Sequence, residues 1–312
     1  MTLATNDNTE RGSFLTDVLL GLAAEPRAIP GKYLWNQTGS AIFDTICRSG
    51  TYYPAVREIA LLKRCVSNVA HTVGPDACIV EFGSGSSHKT RLLLDAMKDL
   101  RRYIALDISG DFLGATIDAL QRDYPKIECV GICADYSSPL PHLPLGSGSV
   151  VGFFPGNSIG NMDPAAALDL LFRVKSALAP AWLFIGQDPN RDGESLGKAY
   201  GSELMAKFHR NLLTRIADEL GAEVTPEDFA HKAHICEEPS RVEARLVAKK
   251  PTVIKVVGRD FHFAPGSAIR TDVSRKYTPA EFERLLAGVG WDTVSKWMDP
   301  DELSALYLLH SA

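Results

Sequence analysis

The chain has little of what marks several large classes of protein. Its six cysteines, at positions 47, 65, 78, 129, 133 and 236, form no CxxC pair. Runs such as Ala77-Cys78-Ile79-Val80 set thiols among apolar residues, as buried free cysteines are, so neither a disulfide framework nor a thiolate metal site is expected. Positive charge is not in excess either: 33 lysines and arginines stand against 38 aspartates and glutamates, for a net charge of −5. The basic residues are scattered, which argues against a nucleic-acid partner. No window approaches the run of about eighteen apolar residues that a membrane span needs. The polar stretch 1–11 has no apolar segment behind basic residues, so no signal peptide is expected and the reading is a soluble cytoplasmic protein. No GK[ST] follows a glycine loop, which removes the usual nucleoside-triphosphate motif.

What remains is ordinary globular material. With 312 residues, 45% hydrophobic and 23% charged, the chain suffices for one large or two medium domains. It shows no internal repeat, and nothing in its acidic, patchless composition calls for more than a monomer. Helical spacing of apolar residues marks 14–22, 40–47 and 55–69, with the pair Tyr52-Tyr53 on a turn before Pro54. From residue 77 the rhythm changes. Short apolar runs at 78–82, 103–106, 129–133, 150–154 and 182–185 alternate with helical patterns at 91–97, 112–120 and 165–178. That alternation is the mark of strands buried on both faces of a parallel, doubly wound α/β sheet. After Gln187 it stops. A long helix is expected over 196–220, and Thr225-Pro226-Glu227-Asp228 reads as the start of another. Period-two strands follow at 241–247, 253–257 and 260–263. A capping box, Thr278-Pro279-Ala280-Glu281, opens a last helix to about Gly288, and two closing strands are expected at 291–297 and 304–309.

The sharpest chemical signal is Glu81-Phe82-Gly83-Ser84-Gly85-Ser86-Ser87, a glycine turn between a strand and a helix, where backbone can approach a ligand and helix N–H groups stand free. The third glycine of a dinucleotide fingerprint is missing, since position 88 is histidine. The following strand ends in Asp107, suited to two ribose hydroxyls, and the next in Asp135, suited to an adenine amine. Singly, Glu81, Asp107 and Asp135 are ordinary strand ends. An acid closing each of three strands around a G-S-G turn is the layout of an S-adenosylmethionine pocket. The fourth strand runs into Pro155-Gly156-Asn157-Ser158-Ile159-Gly160-Asn161, whose Gly156 carbonyl, Ser158 hydroxyl and Asn161 amide match an amino acid's head group; the plainer reading is a turn before a helix capped by Asp163-Pro164.

With those residues in hand, the chain resembles the histidine-specific, S-adenosylmethionine-dependent Nα-methyltransferases of ergothioneine biosynthesis and their aromatic-amino-acid relatives. The likeness runs from Gly31 to the C-terminus. It rests on Gly39-Ser40-x-x-Phe43-Asp44, Tyr52-Tyr53-Pro54, the block from Glu81 through Lys89-Thr90-Arg91, Ser158-Ile159-Gly160-Asn161, Phe208-x-x-Asn211-Leu212, and Arg270-Thr271-Asp272-Val273-Ser274-x-Lys276. The resemblance implies a Rossmann-like class I methyltransferase sheet, assigned to 60–196 and 277–312, and a second, discontinuous α+β substrate-binding domain, assigned to 12–59 and 197–276, with 1–11 as a flexible tail. It implies cofactor contacts from Gly83, Ser84, Gly85, Lys89, Asp107 and Asp135. Tyr52, Asn161 and Tyr200 would surround the substrate carboxylate, Gly156 and Ser158 would meet its amine, and Asp272 and Ser274 its ring. Repeated methylation to a betaine is also implied.

Some residues depart from the family pattern. Asp272 stands where a glutamate is usual, Ala244 where a methionine lines the pocket, Trp35 where a tyrosine is found, and His209 where asparagine is favoured. The shorter acid and the alanine enlarge the ring pocket, which opens a bulkier substrate such as tryptophan, prenylated tryptophan or tyrosine. Readings of other classes are an NAD-dependent oxidoreductase and a silent binding module. His231 and His234 lack a third metal ligand and are expected on a solvated helix end, so no metal is expected.

Overall fold

A computed structural model describes residues 7–85, 87–97 and 99–311, with the side chains of 7–10 and 111 excepted. In chain order the elements are α1 (Asp7–Ala23), α2 (Gln37–Arg48), α3 (Tyr53–Val73), β1 (Cys78–Phe82), α4 (His88–Ala96), β2 (Arg102–Asp107), α5 (Gly110–Asp123), β3 (Glu128–Cys133), β4 (Val150–Phe154), α6 (Pro164–Leu178) and β5 (Ala181–Gln187). They continue with α7 (Gly193–Tyr200), α8 (Glu203–Leu220), β6 (Phe229–Cys236), β7 (Arg241–Ala248), β8 (Thr252–Val256), β9 (Arg259–Phe263), β10 (Ala268–Arg275), α9 (Pro279–Ala287), β11 (Asp292–Met298) and β12 (Ala305–Ser311). The chain divides into two compact units. Of the described residues, those from Tyr53 to Asn190 and from Lys276 to Ser311 belong to the first, and those from Asp7 to Tyr52 and from Arg191 to Arg275 to the second. Among the described residues no helix is long and apolar enough to cross a membrane.

The first unit is a seven-stranded sheet in the order β3-β2-β1-β4-β5-β12-β11. β1 to β5 run parallel, and β12 is antiparallel to both β5 and β11. Its apolar runs carry no alternation because both faces are covered. Ile79, Tyr103, Val151 and Phe153 pack with α3, α4 and α5 on one side. Val80, Ile104, Phe154 and Ile185 pack with α6 and α9 on the other. Strand order reverses between β1 and β4, the place where open α/β sheets hold ligands beyond the strands' carboxyl ends.

The second unit packs α8 against a three-stranded antiparallel sheet, β10-β7-β6, with β8 and β9 as a separate hairpin. Several expectations need correction here. The helix expected over 196–220 is two, because Gly201 and Ser202 leave the helix: Ser202 is extended, and its side chain accepts from the Met205 N–H at 3.2 Å. Helical spacing survives a break this short, so periodicity alone does not show it. Thr225-Pro226-Glu227-Asp228 does not open a helix. Thr225 makes no cap bond, a single 3-10 turn forms, and residues 229–236 are drawn into β6 by pairing along the whole of β7. His231 and His234 therefore lie on a strand, three residues apart and on opposite faces. β10, quoted in the sequence only as a motif, is a full strand. At the N-terminus α1 begins at Asp7, inside the stretch read as a tail; residues 1–6 lie outside the described part.

Candidate active site

In the first unit, polar groups gather on the loops after β1, β2, β3 and β4. Gly83 and Gly85 both have left-handed backbone, φ +79° and +47°, which a side chain would strain. Asp107 closes β2 and clamps this turn. One carboxylate oxygen accepts from the Gly85 N–H at 3.1 Å, the other from the Ser109 N–H at 3.0 Å. Burial pushes its carboxyl above the usual aspartate range, while the N–H groups of Ser109 and Gly85 pull it back. Asp135, just beyond β3, accepts from the Ser137 N–H at 2.9 Å.

Glu81, the third acid of the sequence pattern, turns inward instead. It is 1% exposed and accepts from Thr90 Oγ1 and Tyr103 OH, both at 2.6 Å. Burial lifts its carboxyl to about 8 against those two donors. Its place in the motif is therefore structural: it fastens α4 and β2 behind the turn. Ser84 Oγ is buried with no hydrogen-bond partner. An orphaned hydroxyl beside a clamped carboxylate suits a ligand carrying both donors and acceptors, so these residues fit a nucleoside-bearing donor molecule.

The loop after β4 brings Gly156, Ser158 and Asn161 together. Gly156 and Asn157 are left-handed, φ +84° and +56°, and a 3-10 turn spans Ser158–Asn161. Ser158 Oγ donates to the Pro155 carbonyl at 3.1 Å. Behind the loop stands Glu58, which the sequence reading missed. Its Oε1 accepts from the Gly156 N–H at 2.7 Å, and its Oε2 forms an ion pair with Lys89. Its signal was an acid on the otherwise apolar buried face of α3.

A second missed acid is Asp188. It is 2% exposed and accepts from Tyr53 OH at 2.7 Å, Lys276 Nζ at 2.5 Å and the Asn190 N–H at 2.9 Å. Its own N–H donates to Asn157 Oδ1 at 3.1 Å. Among the described residues the chain leaves or enters this unit at Tyr53, Asn190 and Lys276, and one carboxylate meets all three.

The second unit holds the remaining residues. Trp35 packs edge-on to Phe43 and Phe208, with ring centroids 4.9 and 5.1 Å apart, and Phe43 continues to Tyr52 at 5.8 Å. Tyr52 OH reaches Tyr200 OH at 3.5 Å, and Tyr200 OH meets Ser274 Oγ at 3.1 Å. Asp272 and Ser274 are two apart on β10 and so share a face; Ala244 is directly opposite Asp272 on β7. Gly31 leaves space for the acid, since a Cβ there would come 2.8 Å from Asp272 Oδ1. Burial lifts the Asp272 carboxyl to about 7, opposed by a hydrogen bond from the Val273 N–H and by Arg270.

Beneath this face His209 and His231 stack at 4.7 Å with planes 1° apart. His231 Nε2 donates to the Tyr200 carbonyl at 2.8 Å, and His209 Nδ1 lies 2.9 Å from Thr271 Oγ1. Burial holds both rings below the usual histidine range. Among the described residues no three His, Cys, Asp or Glu are placed to hold a metal.

A donor whose charged centre is a sulfonium has no pyrophosphate to cradle and needs no third glycine. A turn of this kind, on a sheet of this order with an acid closing β2, defines a Rossmann-like, S-adenosylmethionine-dependent methyltransferase. More particularly, the chain belongs to the histidine-specific, S-adenosylmethionine-dependent methyltransferase family, whose profile matches residues 14–311. It is 35% identical to the histidine N-alpha-methyltransferase of Mycolicibacterium smegmatis over 293 residues, covering 91% of this chain and 90% of that protein. The histidine N-alpha-methyltransferase of Mycobacterium tuberculosis is 33% identical, with the same coverages. N-methyltransferase fsqC of Aspergillus fumigatus is 30% identical, covering 94% of this chain and 82% of that one. The nicotinamide-dependent alternative falls with this membership.

Proposed function

We propose that the enzyme methylates the α-amine of free L-histidine, up to the trimethylated betaine. The observation that carries the acceptor is Asp272 beside Ser274 on one face of β10. A neutral imidazole has one donor and one acceptor, so a carboxylate and a hydroxyl satisfy it completely. A ring N–H also stabilises the charged form of an acid that burial has lifted to about 7.

Roles divide by unit. In the first, Asp107 would take the ribose hydroxyls of S-adenosylmethionine and Asp135 the adenine amine. Gly83, Ser84 and Gly85 form the turn they share, and Lys89 meets the donor's carboxylate. In the second, Tyr52 and Tyr200 would hold the substrate carboxylate, with Trp35 and Ala244 on the ring pocket. In the first unit, the Asn161 amide is a donor suited to a carboxylate. Bound S-adenosylmethionine supplies an electrophilic methyl group on positively charged sulfur. An ammonium has no lone pair, so the chain must favour loss of its proton. The Gly156 carbonyl can only accept, and the Ser158 hydroxyl already gives its hydrogen to Pro155, so both are acceptors toward an amine. No covalent intermediate is required. Holding the partners in line contributes up to about 7–11 kcal/mol in favourable systems.

A second reading, a bulkier aromatic amino acid, is favoured by Ala244 standing opposite the short Asp272. Incubation with S-adenosylmethionine and histidine, tryptophan or tyrosine in turn, read by mass spectrometry, decides. Gain of one to three methyl groups on histidine supports the first reading, and gain on tryptophan or tyrosine the second. No gain on any while S-adenosylhomocysteine binds overturns both.

A further inference from the structure

We propose that Glu58 is a positioning residue that holds the donor-side lysine and the acceptor-side loop of the first unit in one arrangement. The inference rests on the reading of Lys89 as a donor contact and of Gly156 as an acceptor for the substrate amine. Glu58 projects from α3, whose buried face is otherwise built of residues such as Leu61, Leu62 and Val69. A carboxylate taken out of water is costly unless it is paired and hydrogen-bonded. Glu58 is 3% exposed and has both kinds of partner: the Gly156 N–H at 2.7 Å and the Lys89 ammonium.

Two glycines make room for this arrangement. On β5, a Cβ at Gly186 would overlap Glu58 Oε1, and at Gly156 a Cβ would come 3.3 Å from Lys89 Nζ on a backbone already at φ +84°. Two physical consequences follow. The Gly156 peptide is held by an ionised acceptor, which fixes the turn carrying the carbonyl assigned to the amine. The Lys89 ammonium is held against the Glu58 carboxylate, which fixes where its charge sits.

The test is a double-mutant cycle on the full chain, read as the Kd of S-adenosylhomocysteine and the separate KM values of donor and amino acid. Glu58→Gln keeps an oxygen for the Gly156 N–H and loses the ion pair. It is expected to weaken S-adenosylhomocysteine about tenfold while the amino-acid KM stays within about twofold. Glu58→Ala should raise both, and Gly186→Ala, which displaces the carboxylate, should follow it. Combined with Lys89→Met, Glu58→Gln should weaken binding no further than Lys89→Met alone. Additive losses, or unchanged binding by Glu58→Gln, overturn the proposal. If Lys89→Met alone leaves Kd untouched, the donor role of Lys89 fails, and this inference fails with it. Should Glu58→Ala not fold, the Glu58→Gln and Lys89→Met cycle decides by itself.

Discussion

The first unit holds its acids with backbone N–H groups and with side chains of the same unit: Asp107 by Gly85 and Ser109, Asp188 by Asn190, Tyr53 and Lys276. The second unit builds its polar face from side chains joined in series, from Tyr52 through Tyr200 to Ser274, over a stacked histidine pair. Backbone donors at strand ends are common to any sequence that adopts the sheet. A relay of side chains changes with each residue. The first arrangement suits a donor shared by many enzymes, the second a substrate that distinguishes them.

The largest effect expected on this comparison is at Asp188. Asp188→Asn leaves the buried Lys276 ammonium without its carboxylate, and chemical denaturation should show a loss of about 3–5 kcal/mol. A loss below about 1 kcal/mol would mean that the ion pair does not hold the first unit together. Next come the two acids that separate the units. Asp107→Ala should weaken S-adenosylhomocysteine by about 100-fold in calorimetry, and Asp272→Ala should leave that binding intact while lowering kcat/KM for histidine by about 100-fold. Equal effects of both variants on both readouts would erase the division of roles.

A smaller effect concerns pH. Burial raises the Glu81 carboxyl from 4.5 to about 8, so the folded protein holds this proton more tightly than the unfolded chain. Its contribution is full below about pH 4.5 and is lost as pH rises to about 8. Asp272, raised from 3.8 to about 7, has the same sign over a lower window. Glu81→Gln should flatten the dependence of Tm on pH across that range, and an unchanged slope would show that the acid is not protonated in the fold. Smallest is Ser202→Ala, which removes the α8 cap and should cost about 1 kcal/mol; no loss would favour a continuous helix after all.

The strands of the parallel sheet were legible because burial on both faces leaves unbroken apolar runs, and the α9 capping box because its two hydrogen bonds join residues three apart. Lys276, Asn211 and Thr90 were visible only as parts of motifs. Their work is architectural: Lys276 pairs with Asp188, Asn211 Nδ2 donates to Asn36 Oδ1 at 2.9 Å, and Thr90 holds Glu81. β6 and β10 escaped because their identity as strands depends on pairing with β7, not on any rhythm of their own.

By itself, the order of residues determined the glycine turn, the acids at the ends of β2 and β3, the Asp272 and Ser274 spacing, and the family, since each is a matter of local chemistry at short separation. Tertiary structure alone decided that Glu81 turns inward, that Glu58 from α3 reaches Lys89 and Gly156, and that Asp188 gathers three distant crossings. Those contacts join residues up to 135 positions apart, and no periodicity along the chain encodes which buried charge meets which partner when the sheet closes.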